Sequence, residues 1–147
     1  MNKHSEANWA MGTHLYIGGY PSGTHVCELT NINGLELDSD EIDVTNHCSV
    51  GGYEEVIQSI RRTGTVSLEG NFIPGDPGQQ LLYQDYMSGA IDDYSIVFPA
   101  AMATQWNFRG FVKKAPSTEA PYDGKVSMSA EIRVTGKPDL IVNGSSL

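Results

Sequence analysis

The chain has 147 residues, 39% of them hydrophobic, and a formal net charge of −9. That length supports one domain with its own core, no apolar run is long enough for a transmembrane helix, and residues 1–12 lack the apolar core of a signal peptide. The charge excludes more: residues 25–60 hold eight acids and no base, residues 61–147 hold nine acids and eight bases, and no basic stripe is present to neutralise a DNA backbone.

Residues 1–12 are polar and patternless and read as an arm that orders only against a partner. Residues 14–17 form a first strand, stopped by Gly18-Gly19 and Pro21-Ser22-Gly23, and residues 24–30 a second. Residues 34–46 read as strand, with Leu35, Leu37, Ile42 and Val44 inward and Glu36, Asp38, Asp43 and Thr45 outward. Carboxylates stacked across a sheet repel one another, so that face must meet water. Residues 47–52 form a loop freed by Gly51-Gly52. Residues 53–62 are predicted as a short helix: Glu54 and Glu55 near its start and Arg61 and Arg62 at its end match the helix dipole, with Gly64 as terminator. Its apolar patch of Val56, Ile57 and Ile60 is either core or exposed for a neighbouring subunit.

The most informative stretch follows. Val66, Leu68 and Phe72 alternate with Ser67, Glu69 and Asn71, the period of a strand with one buried face. Asp76 stands at an N-cap, Pro77 at the first helical position and Gly89 just past the end, so residues 77–88 are a helix with Leu81, Leu82 and Tyr86 on one side. Residues 94–98 and 104–112 pair as a hairpin, the second strand carrying Trp106, Phe108, Gly110 and Val112 on one face. Residues 115–124 read as a long surface loop. Residues 125–135 alternate most strictly: Val126, Met128, Ala130, Ile132 and Val134 against polar neighbours. Gly136-Lys137-Pro138 ends that strand, and residues 141–147 read as a tail. One helix among strands predicts a mainly β, single-domain protein, a β-sandwich or barrel with one flanking α-helix, and no internal repeat.

Chemistry is sparse. No Gly-x-Ser-x-Gly elbow, phosphate-binding loop or His-Glu-x-x-His occurs. His25 and Cys27 with His47 and Cys48 are a nominal metal set, but adjacent ligands such as His47 and Cys48 rarely reach one ion. The acids Asp38, Asp40 and Glu41 lack the glycine and terminal glutamate of a calcium loop. The two cysteines read as free thiols of a cytoplasmic protein. Neither a metal, a cofactor nor an enzymatic activity is expected. Two other classes stay open: a stand-alone β-sandwich binding module using Trp106, and a small metal-dependent enzyme using the His/Cys set.

Several segments together resemble the major tail tube protein family of long-tailed, non-contractile (siphovirus-type) bacteriophages. They are Ile42-Asp43-Val44-Thr45; Gly51-Gly52-Tyr53-Glu54-Glu55 followed by Ile57 and Ile60; Gly64 to Phe72; the helix after Asp76; and Gly124 to Ala130 running on to Pro138. The ordered set spans roughly residues 34 to 140, while Cys48 and Val50 stand where the family more commonly has polar or proline-type residues. The resemblance implies a structural virion protein, assembled in the host cytoplasm without membrane insertion. Hexameric rings would stack into a hollow tail tube, and DNA would pass through its lumen on ejection without specific binding. It also implies tape measure, tail tip or initiator, and terminator proteins as partners; some members of the family carry an extra immunoglobulin-like domain after the final strand, and none is expected here. Related tubes of tailocins and gene-transfer particles share the pattern. On this reading Glu36, Asp38, Asp40, Glu41 and Asp43 are lumen candidates, since an acidic wall repels phosphate. Ring or subunit contacts fall to His47, Gly51, Gly52, Tyr53, Glu54, Val56, Ile57, Ile60, Arg61 and Arg62.

Overall fold

The computed structural model describes residues 9–147; of the expected N-terminal arm, residues 1–8 lie outside the described residues. Among the described residues there are ten strands: β1 (His14–Ile17), β2 (Thr24–Val26), β3 (Leu29–Asn33), β4 (Asp38–Asp43), β5 (Val56–Arg62), β6 (Thr65–Asn71), β7 (Asp92–Val97), β8 (Thr104–Glu119), β9 (Ser127–Val142) and β10 (Ser145–Ser146). One α-helix among them, α1 (Pro77–Ser88), joins β6 to β7.

Seven strands form one antiparallel path in the order β2-β1-β7-β8-β9-β6-β3, with β10 added on β9. The end strands of that path, β2 and β3, are separated in the chain only by Cys27 and Glu28. The sheet must therefore curl over on itself in a sandwich-like arrangement until its two ends meet at that corner, where Glu28 takes φ 55°. This turn breaks the strand expected over residues 24–30.

The alternation in β6 and β9 is realised as the core: Val66 and Leu68 pack with Met128, Ala130, Ile132 and Val134, all at most 2% exposed. From β8, Phe108, Gly110 and Val112 face inward as expected, and Trp106 packs half-buried against the same cluster. Helix α1 closes the open side and has its predicted caps. The Asp76 carboxylate accepts from the Gln79 amide, and Gly89 ends the helix at φ 67°. Its buried side is Gly78, Gln79, Leu82 and Asp85; Tyr86 points outward at 45% exposure. Gly78 is the point of closest approach, since a Cβ there would lie 2.5 Å from the His25 carbonyl oxygen.

Asp85 is a carboxylate set in this core. The Tyr94 hydroxyl donates to its Oδ2 at 3.0 Å, yet burial, aided by Asp92, raises its pKa above the usual carboxylate value. Burial also drives the Tyr94 phenol upward, with Asp85 adding to the shift. A raised carboxylate pKa stabilises the fold fully below the unfolded value, and that stability is lost as pH rises through the folded value. Asp85→Asn keeps an acceptor for Tyr94 and removes the charge. We expect it to flatten the loss of Tm as pH rises above the usual carboxylate value, each kcal/mol recovered being worth about 2–4 °C for a chain of this size. An unchanged slope in thermal melts would refute this.

Three further differences from the sequence reading have physical causes. Residues 53–62 are not helical: β5 pairs with β4, because β-branched Val56, Ile57 and Ile60 fit a ladder that brings Arg61 and Arg62 opposite Ser39 and Asp38. The loop expected over 115–124 is shortened, since β8 continues on β9 as far as Glu119. Gly136-Lys137-Pro138 does not end β9; Gly136 at φ 77° opens a bulge opposite Phe108, between the Thr135–Arg109 and Asp139–Asn107 pairs, that accommodates a proline without an amide proton. The expected tail at 141–147 turns back at Asn143-Gly144 and pairs as β10.

Candidate self-assembly surfaces

β4 and β5 form a two-stranded sheet of their own, apart from the eight-stranded body. Such a hairpin is marginal by itself, and this one is reinforced at its tip by side chains. The Thr45 hydroxyl accepts from the Glu55 amide at 2.8 Å, Asp43 Oδ1 accepts from the Thr45 amide at 2.8 Å, and Asn46 Oδ1 accepts from the Cys48 amide at 2.8 Å. Hydrogen bonding from the Thr45 hydroxyl, and then from the Thr45 amide, holds the Asp43 carboxyl below the usual carboxylate range. Gly51 and Gly52 follow at φ 68° and 72°, a conformation that favours glycine.

The apolar residues of this hairpin are not core. Ile42 is 50% exposed, Ile57 52%, Ile60 62% and Tyr53 77%. Ile42 and Val44 alternate as predicted, but they face solvent instead of the interior. Leu35 lies outside β4 with φ 59° and packs half-buried against the body, whereas Leu37 is exposed.

Register divides the acids between two faces. Ile42 pairs with Ile57, and Asp38 with Arg62, so Asp38 and Asp40 share the isoleucine face. Glu41 pairs with Gln58 and Asp43 with Val56 on the opposite face. Asp40 is compensated by Arg62 at 2.7 Å, which lowers its pKa. Both side chains are at least half exposed, so this pair adds little stability. Glu36 precedes the hairpin at its base, close to Gly64. The five lumen candidates therefore do not line one face. Of the contact candidates, His47, Gly51, Gly52, Tyr53 and Glu54 sit at the tip or just after it, and Val56, Ile57, Ile60, Arg61 and Arg62 along β5.

The nominal metal residues are not brought together. His25 Nε2 meets His14 Nδ1 at 2.9 Å and His25 Nδ1 lies 3.8 Å from Cys27 Sγ, whereas His47 and Cys48 belong to the hairpin tip. Burial and then His25 lower the His14 pKa. The Asp76 carboxylate beside Cys27 raises its thiol pKa.

A second surface was not anticipated. On the outer side of β8, Arg109 and the 38%-exposed Phe111 alternate, and Phe111 pairs with Arg133 on β9. A bulge after Val112 adds Lys113 and sets Lys114 opposite Glu131. Four of these residues, Arg109, Lys113, Lys114 and Arg133, are basic, and Lys113 completes no pair in the ladder. Arg133 is tied to the Thr63 carbonyl, and Arg109 meets Asp93 at 3.4 Å with both side chains at least two-thirds exposed.

The family model for the lambda phage tail tube protein, TTP, matches residues 21–141. The chain belongs to the lambda phage tail tube protein family. It is thereby a structural virion protein, a tube subunit. A search of curated proteins finds no match. Among solved structures, a chain from the tail of an empty gene transfer agent particle, refined helically with C6 symmetry, aligns with TM-score 0.71. Identity is 16%, covering 90% of this chain and 97% of that one. A chain of the native gene transfer agent virion gives 0.68 at 16% identity, covering 87% and 95%. A chain from the PVC sheath/tube terminator of an extracellular contractile injection system gives 0.69 at 12% identity, covering 92% and 97%. At these identities the likeness is one of fold, and it extends the tail tube fold over nearly the whole chain.

Proposed function

We propose that this tail tube protein forms six-membered rings through its sheet body and stacks them through the β4–β5 hairpin, making a channel for DNA. The observation that carries this reading is the hairpin itself. A soluble monomer gains nothing by holding out Ile42, Ile57, Ile60 and Tyr53 on a preorganised arm, whereas a second copy covering them recovers their burial. The C6 symmetry named for the gene transfer agent tail supports six copies. The free edges of β2 and β3 favour closure, since a ring leaves no strand edge exposed.

The lumen assignment narrows to Glu36 and Asp38 at the hairpin base, because Asp40 is neutralised by Arg62 and the distal half is apolar on one face. Carboxylates there, neither of them held in an ion pair, would repel phosphate and let DNA slide. The remaining partners are a tape measure that sets length, an initiator and a terminator, with assembly in the host cytoplasm before incorporation into the virion. The whole chain acts as one domain, and no reaction is catalysed. Trp106, packed against the core, is poorly placed to serve a carbohydrate-binding module.

Electron microscopy of the purified protein over a range of concentrations tests the proposal. Six-fold rings and hollow tubes are expected, with Glu36 and Asp38 at the channel wall. An assembly of other symmetry removes the ring reading, and an exterior position for both acids removes the lumen assignment.

A further inference from the structure

The chain carries two exposed surfaces of opposite charge that cannot meet within one copy's own strand pairing. One is the distal hairpin face with Glu41 and Asp43 beside half-exposed Val56, followed by Glu54 and Glu55. Among the described residues the only ion pairs are Arg62–Asp40 and Arg109–Asp93, so none of these four acids has a basic partner. The other is the β8–β9 outer face, where Arg109, Lys113, Lys114 and Arg133 surround Phe111. These are four of the nine bases in the chain, gathered around one exposed aromatic ring.

We propose that the Glu41–Asp43 face of one copy docks on the Phe111 face of a second copy, with Val56 against Phe111 and the carboxylates against the lysines and Arg109. The contact rests on the tube reading and names a surface for it. Charge complementarity chooses the occupant: the hairpin is the acidic arm, and the Phe111 face is a compact basic platform on rigid strands. A contact between two different patches of the same chain is heterologous, and it propagates as rings or stacks instead of closing as a pair. The acids near the tip then serve assembly, leaving those at the hairpin base to the channel. Opposite charges also reject wrong registers, since a hairpin set against another hairpin would bring like charges together.

The test is a charge swap read by tube assembly. Both Glu41→Lys/Glu54→Lys, which spares the Asp43–Thr45 bond at the hairpin tip, and Lys113→Glu/Lys114→Glu alter exposed side chains, so each monomer is expected to melt as the wild type does. Each pair of reversals is expected to raise the concentration needed for tube formation on the order of tenfold, and higher salt to raise it for the wild type. The four-fold variant, with both sets reversed, is expected to assemble again near the wild-type concentration. Assembly of Lys113→Glu/Lys114→Glu at the wild-type concentration overturns the contact, as does a four-fold variant no better than the worse parent. Loss of DNA binding by the lysine variant with tubes intact also overturns it, by giving the basic face to nucleic acid. A wild-type chain that never assembles fails at the tube reading instead, and takes this contact with it.

Discussion

Replacing residues 46–53 by a two-residue Asn-Gly turn is expected to leave a folded monomer that no longer forms tubes. Every residue in that segment except Ser49 is exposed, and none belongs to the core. Fold stability should therefore change by no more than about 0.5 kcal/mol, the usual range for surface changes. Assembly, in contrast, loses Val50 at 84% exposure and Tyr53 at 77%, the most prominent apolar side chains at the tip. Circular dichroism melts report the first expectation, and sedimentation with negative-stain microscopy the second. Full-length tubes from the shortened chain would sink the hairpin's role in stacking, and an unfolded monomer would show that the tip supports the body after all.

The second large effect is on the fold. Asp76 is 5% exposed, and its Oδ2 accepts from two amides: Gln79, as helix cap, at 3.2 Å, and Cys27, at the corner between β2 and β3, at 3.0 Å. The Gln79 side chain completes the clamp by donating to the Asn71 carbonyl at 2.9 Å and accepting from the Ile73 amide at 3.0 Å. Asp76→Ala removes a cap worth about 1 kcal/mol and strands a partly buried amide at about 1–3 kcal/mol. The combined loss of about 2–4 kcal/mol lowers Tm by roughly 5–15 °C. Asp76→Asn retains an acceptor and should lose less than half as much. An Asp76→Ala protein melting within about 2 °C of the wild type would show that the corner is held by something else.

Asp76 also shows where the sequence was legible and where it was not. Its capping role was plain from Asp76-Pro77 and Gly89, which are local signals, and α1 falls where they place it. Its bond to Cys27 was not, because the two lie 49 positions apart and nothing local carries a trace of the contact. The alternation in β6 and β9 located the core for the same local reason. The hairpin misled: Glu54-Glu55 and Arg61-Arg62 imitate a helix dipole, and the ladder from Asp38 to Arg62 that overrides it is a pairing between segments. The Phe111 platform was hidden likewise, since its charges come from two strands joined only by register. Gly136 and Pro138 read as punctuation because a bulge and a strand end use the same residues.

The strand order has a consequence for synthesis. β1 pairs early with β2 and β3 with β6, but β6 and β8 both wait for β9, so the body closes only once residues beyond 127 exist. The β4–β5 arm, by contrast, needs only residues 38–62 and can close at once. A chain still on the ribosome can thus hold out its arm but presents no platform to receive one, because that platform is built on β9. On the proposed contact, newly made copies become receptors only when nearly finished, so that translation itself separates folding from polymerisation.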